Sequence, residues 1–274
     1  MNRRSFMTLC AAASLRRSLA ASKIPVGLEM YSVRDEFTRD PTETIRAVAD
    51  MGYQGVEFYA PYFDWTLEHA RTVRSLLDSL KIRCFSTHNG PKSFSPEGLI
   101  HAAELNQALG SRYVVLASAG NIKTLDGWKP VAAMLTQASA ALKQYSLSTG
   151  YHNHKLEFLP VEGKRPIEYL AENTPKDVML QLDVGTCIEA GSDPVAWIRQ
   201  NPGRIKSLHV KEWSKADGYQ ALLGEGEAPW PKILQAAENT GGVEYYLIEQ
   251  EGSRYPPLET AKKCLVTFQA LRTP

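Results

Sequence analysis

Apolar and β-branched runs recur along the chain, beginning near Val26, Gln54, Ile82, Arg112, Leu147, Val178, Ile205 and Glu244, with longer helical patterns between them. The first three begin about 30 residues apart, the size of one strand–helix unit. Between runs the apolar spacing becomes helical: Ile45, Val48 and Met51 share one face, as do Leu258, Ala261, Leu265, Phe268 and Leu271. Asp40-Pro41, Ser95-Pro96 and Asp193-Pro194 each set a capping side chain before a proline at the first helical position, and Gly52 and Gly110 mark helix ends. The run from Val178 to Leu182 is mostly apolar rather than alternating, as expected of a parallel strand covered on both faces. Eight such units in about 250 residues predict an α/β fold, a (β/α)8 or TIM barrel. A doubly wound open sheet is the main competitor. It lacks its GxGxxG signal, because Gly27-Leu28-Glu29-Met30-Tyr31-Ser32 follows the first strand's start instead. No Pro- or Gly-rich linker divides the pattern, so one domain is expected.

The first 22 residues read differently. Arg3 and Arg4 precede a short apolar run and the small-residue stretch Ser18-Leu19-Ala20-Ala21, the pattern of a twin-arginine export signal. We therefore expect a signal over residues 1–22, a barrel over 23–274 and a periplasmic location. The apolar run is too short to span a bilayer, so no stable membrane anchor is expected. With 31 Lys+Arg against 30 Asp+Glu the formal net charge is +1, which argues against a nucleic-acid binder. Cys10, Cys84, Cys187 and Cys264 are widely spaced with no CxxC pair, which argues against a disulfide framework or a zinc-thiolate site. A homo-oligomer is compatible with all of this.

Polar residues collect where the strands are expected to end, the active-site face of a barrel. The fifth run ends Tyr151-His152-Asn153-His154 with Glu157 shortly after, the sixth ends in Asp183, the seventh in His209 and the eighth in Glu249. A carboxylate closing an apolar strand is costly to bury unless it is paired or binds a metal. Carboxylate plus imidazole suits Mn²⁺, Mg²⁺, Co²⁺ or Zn²⁺. His88 and Glu57, at the ends of the third and second runs, are candidates for substrate contact. Glu57 could equally orient His88 or form a buried ion pair. Lys211 is placed to bond a substrate oxygen, to orient a carboxylate, or to lie solvated in a loop. Glu29 lies in the first strand without an evident role, and Cys187 reads as packing.

Together these stretches, with Gly55-Val56-Glu57-Phe58, Leu182-Asp183-Val184-Gly185 and His209-Val210-Lys211-Glu212, resemble the xylose-isomerase-like TIM-barrel family of sugar phosphate isomerases and epimerases. The resemblance implies a divalent metal held by a Glu, an Asp, a His and a second Glu. Asp183, His209 and Glu249 match the last three places. The first is a departure, since His152 stands where relatives carry a carboxylate; either its imidazole serves, or Glu157 reaches back. The Tyr-His-Asn-His end is closer to inosose dehydratases. The expected function is isomerisation or epimerisation of a small carbohydrate, a sugar or keto-sugar, by proton abstraction beside a carbonyl that the metal polarises. Glu249 is the expected base, and His152 or His154 returns a proton. The alternative is a lyase, an inosose-type dehydratase or a 3-keto-glycoside eliminating enzyme. A DNA repair endonuclease is opposed by the charge, and a non-catalytic sugar binder would lack a working base. Two acids in Gly224-Glu225-Gly226-Glu227 stand where barrels often cradle phosphate, so a neutral substrate is expected.

Overall fold

The computed structural model describes residues 24–273. The expected signal over residues 1–22 lies outside the described residues. Eight parallel strands close into a barrel in sequence order: β1 (Val26–Glu29), β2 (Gly55–Phe58), β3 (Arg83–Asn89), β4 (Tyr113–Leu116), β5 (Ser148–His152), β6 (Met179–Asp183), β7 (Ser207–Val210) and β8 (Tyr245–Ile248). Closure is made by β1 on β8, with Val26 opposite Tyr246 and Leu28 opposite Ile248. Each strand begins within two residues of its expected start. The capping expectations hold as well. Asp40 accepts from the Glu43 N–H, Ser95 from the Gly98 N–H, and Asp193 from the Val195 and Ala196 N–H groups.

Side chains alternate between the helix-packed outside and the barrel interior. Outward residues such as Leu28, Val56, Val114, Leu180, Leu208 and Tyr246 pack in the main core. Inside, Phe85, Tyr113, Val115, Met179, Tyr245 and Leu247 form a separate apolar layer that fills the lower barrel. The register between β2 and β3 slips after Val56, pairing it with Cys84 but Glu57 with Ser86. The extra residue of this bulge, Phe85, turns its ring inward. Gly27 and Gly55 make room for it: a Cβ would lie 2.9 Å and 2.5 Å, respectively, from the Phe85 ring. Above this floor the interior turns polar. Among the described residues no helix is long and apolar enough to cross a membrane.

Candidate active site and metal centre

Strand parity carries one inward side chain from nearly every strand to the upper mouth. Glu29 comes from β1, Glu57 from β2, His88 from β3, His152 from β5, Gln181 and Asp183 from β6, and His209 from β7. Glu249 follows the last residue of β8. All are buried. The rings of His88, His152 and His209 gather with centroids 4.4 to 5.0 Å apart, His88 lying nearly parallel to His209.

Gln181 decides how these groups are protonated. Its amide nitrogen donates to Glu57 Oε1 at 3.0 Å, since a carboxylate can only accept. The amide oxygen therefore faces the imidazoles and accepts from His152 Nδ1 at 3.0 Å and His88 Nε2 at 2.7 Å. Both rings are held neutral. Burial lowers the His152 pKa well below its ordinary value, and the neighbouring His209 and His88 add to this. Burial likewise lowers that of His88, against the pull of Glu57. With Nδ1 protonated, His152 Nε2 is a bare lone pair, 3.9 Å from Asp183 Oδ2.

His209 is the charged counterpart. Its Nε2 lies 2.8 Å from Glu57 Oε2 and its Nδ1 2.5 Å from Glu249 Oε2. Burial alone would lower its pKa, but the two carboxylates outweigh it and raise the value to about 10. Burial would raise the Glu57 pKa. The neighbouring His88 ring and the hydrogen bond and charge of His209 instead lower it to about 2, so Glu57 stays ionised. Lys211 is itself buried, with Nζ 3.4 Å from Glu249 Oε1, 3.5 Å from Asp183 Oδ2 and in contact with Glu251. Against the effect of burial, Lys211 and His209 hold Glu249 below the usual carboxylate range.

The donor set fits a divalent ion. Ligand atoms of His152, Asp183 and Glu249 all lie within 4.8 Å of one another. Asp183 Oδ1 accepts from the Thr186 N–H at 2.9 Å, whereas Oδ2 is buried and makes no hydrogen bond. An imidazole nitrogen with its lone pair free, beside two carboxylates, suits a hard to borderline cation. His209 adjoins through Nδ1. Its other nitrogen on Glu57 is the carboxylate support that metal-ligating histidines commonly have.

A cavity of about 410 Å³ opens above this group, walled by Tyr31 and Tyr59 and reached by His154 and Glu251. His154 is exposed and meets His152 edge-on at 5.0 Å. The loop after β7 closes the adjoining side around Glu212. This buried carboxylate accepts from the N–H groups of Trp213, Gly224 and Ala228 and from the Trp230 indole, at 3.1, 2.9, 3.2 and 2.7 Å. Gly226 must be glycine for the loop to approach so closely, because a Cβ there would sit 2.3 Å from the Trp213 carbonyl oxygen. The donors that barrels often offer to a phosphate are thus occupied by Glu212. Glu225 and Glu227, the acids expected to repel phosphate, are engaged elsewhere, with Arg254 and the Lys215 N–H.

A family model described as xylose isomerase-like TIM barrel matches residues 45–267. The chain belongs to that family. It is 28% identical over 162 residues to an inosose dehydratase from Clostridium tetani, spanning 52% of this chain and 54% of that protein. The chain thus covers about half the length of this curated relative. Among solved structures, a sugar phosphate isomerase/epimerase from Parabacteroides distasonis superposes with a TM-score of 0.77 at 24% identity, covering 92% of this chain and 96% of that one. An IolI protein with a bound zinc atom gives 0.70 at 16% identity, over 91% and 99%. These two likenesses bear on the fold.

The structure brings Asp183, His209, Glu249, His152, His88, Glu57 and Lys211 together, with His154 at the mouth. Glu157 lies elsewhere. Its oxygens accept from the Tyr151 hydroxyl at 2.6 Å and the His154 N–H at 2.9 Å, so it caps the turn after β5. Of the two residues offered for the first metal position, His152 is in the group. Cys187 is fully buried, and burial pushes its thiol up. Sequence reasoning missed Gln181 and Glu212. The signal for Gln181 was present: an amide amid Leu180 and Leu182 must face a polar partner or remain unsatisfied.

Proposed function

We propose that this chain is a divalent-metal-dependent isomerase or epimerase that abstracts a proton beside a carbonyl of a neutral sugar or keto-sugar. The observation that carries this reading is the Asp183 oxygen, buried without a hydrogen bond and facing the free lone pair of His152 beside Glu249. A divalent ion held by His152, Asp183, Glu249 and, once it displaces the Nδ1 proton, His209 would supply Lewis acidity to a carbonyl and its neighbouring hydroxyl. Glu249, kept ionised by Lys211 and His209, is the base. Lys211 Nζ, a rigidly held ammonium, donates to a substrate oxygen. His154, exposed at the mouth, exchanges protons with solvent, and His152 stays neutral and orients. Tyr31 and Tyr59 offer an apolar wall to the carbon face of a sugar.

One feature favours a second outcome, elimination of water. Because His152 stands where the resemblance implies a carboxylate, Glu249 is the sole carboxylate base of a pair that two-base epimerisation would need. The likeness to an inosose dehydratase points the same way.

Incubation of the metal-loaded protein with a panel of ketoses and inososes in D₂O tests both. Deuterium at one carbon is expected, and loss of water by mass marks the lyase outcome. Glu249→Gln should abolish exchange while metal-dependent sugar binding persists; turnover surviving in that variant would remove Glu249 as the base. The reading includes export of the folded protein, supported by Arg3-Arg4 ahead of the short apolar run. Recovery of the full chain in the cytoplasmic fraction alone would overturn that part.

A further inference from the structure

Glu29 is a buried acid that the chemistry above does not use. It is 1% exposed, and neither carboxyl oxygen has a hydrogen-bond partner, although it lines the cavity. Burying a polar group without a partner costs stability, so such a group at a cavity wall points to a partner supplied by a ligand. Facing it is His88. Both acceptors near His88 Nε2, Gln181 Oε1 at 2.7 Å and Glu57 Oε2 at 3.1 Å, require the proton on that nitrogen. His88 Nδ1 is therefore a bare acceptor, 3.9 Å from Glu29 Oε1.

We propose that Glu29 and His88 form a subsite that binds a hydroxyl group of a neutral polyhydroxylated ligand, on the β1–β3 side of the cavity. This rests on reading the cavity as a carbohydrate site. A gap of 3.9 Å is too long for a direct hydrogen bond, yet it lets one hydroxyl oxygen reach both groups at about 2.8 Å. A hydroxyl both donates and accepts, so it can serve the carboxyl and the imidazole together. An anionic group is repelled by the ionised Glu57. A cation fits poorly, although Glu29, Glu57 and His88 are close enough to hold one. Both Glu57 oxygens are already taken by Ser86, Gln181, His88 and His209. Two free donors are too few for a metal. Tyr31 and Tyr59, edge-to-face at 5.5 Å, wall the same cavity and suit the carbon face of a ring whose hydroxyl enters the gap.

The test uses the full-length protein loaded with Mn²⁺ and three probes, 2-keto-myo-inositol, D-fructose and D-psicose, titrated calorimetrically. Any probe that binds the wild type should bind Glu29→Leu about ten-fold more weakly, the scale of one buried hydrogen bond. Glu29→Gln, which can still donate and accept, should recover most of that loss. Mn²⁺ affinity should be the same in all three proteins. Glu29→Leu should also melt higher than wild type, because it removes a buried carboxyl without a partner; a merely structural role predicts a lower midpoint and unchanged probe binding. The subsite is overturned if Glu29→Leu binds the probe as tightly as wild type, if Mn²⁺ binding falls in parallel, or if no probe binds the wild type. A probe that binds in a Glu29-dependent manner yet incorporates no deuterium would sink the proton-abstraction reading and leave the subsite standing.

Discussion

Replacing Glu212 by alanine removes the acceptor shared by four donors of the loop after β7. Hydrogen bonds to an ionised group contribute about 1.5–3 kcal/mol each when broken singly. The sum overstates the effect. Three donors are backbone N–H groups in a loop that can re-solvate, and removing the carboxylate also relieves its own desolvation. The Trp230 indole cannot re-solvate, since it is 2% exposed. A net loss of about 3–4 kcal/mol is expected, in the range for breaking a buried polar network. Unfolding entropy near 2.1 cal/mol/K per residue converts this to a drop of roughly 6 °C in the melting midpoint for the 250 or so residues of the barrel. Glu212→Gln keeps one acceptor oxygen and should lose about half as much. Calorimetry gives the midpoint, and limited proteolysis reports whether residues 213–229 open first. If Glu212→Ala melts within about one degree of wild type and its loop resists cleavage, the carboxylate does not organise the loop.

Three further outcomes follow from buried groups. Gln181→Leu leaves His152 Nδ1 without its acceptor and frees the ring to adopt the other tautomer, so Mn²⁺ affinity should fall about 10- to 100-fold; unchanged calorimetric affinity would refute the role given to the amide. Burial, followed by the charges of Glu57 and Glu249, holds the Glu29 carboxyl well above its ordinary 4.5. Above that pH the native state keeps a proton that the unfolded chain has lost. This residue therefore makes stability fall as pH rises, by up to about 1.4 kcal/mol per pH unit until the native value is passed. Glu29→Gln should flatten the decline, and parallel melting profiles across that range would contradict it. Arg204, 2% exposed, donates to the carbonyls of Ala171 and Val178 at 2.6 and 2.9 Å and to the Thr174 hydroxyl at 2.9 Å. Arg204→Met strands these acceptors and should cost about 3 kcal/mol in denaturant titration; a loss under about 1 kcal/mol would show that water replaces the guanidinium.

The barrel was legible because its strands are apolar runs and its helices carry local caps. Each of those signals is complete within a few residues. Asp183, His209 and Glu249 were legible because a carboxylate or imidazole closing an apolar strand is locally anomalous. Gln181 was not, because its meaning depends on Glu57, 124 residues away, and on a strand parity that the β2–β3 bulge resets. The choice between His152 and Glu157 turned on the same parity. His152 is two residues beyond Gly150 on the interior face, whereas Glu157 follows a turn that aims it at the Tyr151 hydroxyl. Glu212 escaped notice because its partners are backbone N–H groups whose convergence no side-chain pattern announces.

The inward Phe85 ring has a consequence for traffic. With Phe85, Tyr113, Met179 and Tyr245 packed beneath the polar layer, the shaft beneath the histidine and carboxylate cluster is a blind one. Whatever arrives past Tyr31, Tyr59 and His154 must leave by the same doorway. Arrival and departure then share one queue, and a change at the rim that speeds capture alters escape as well.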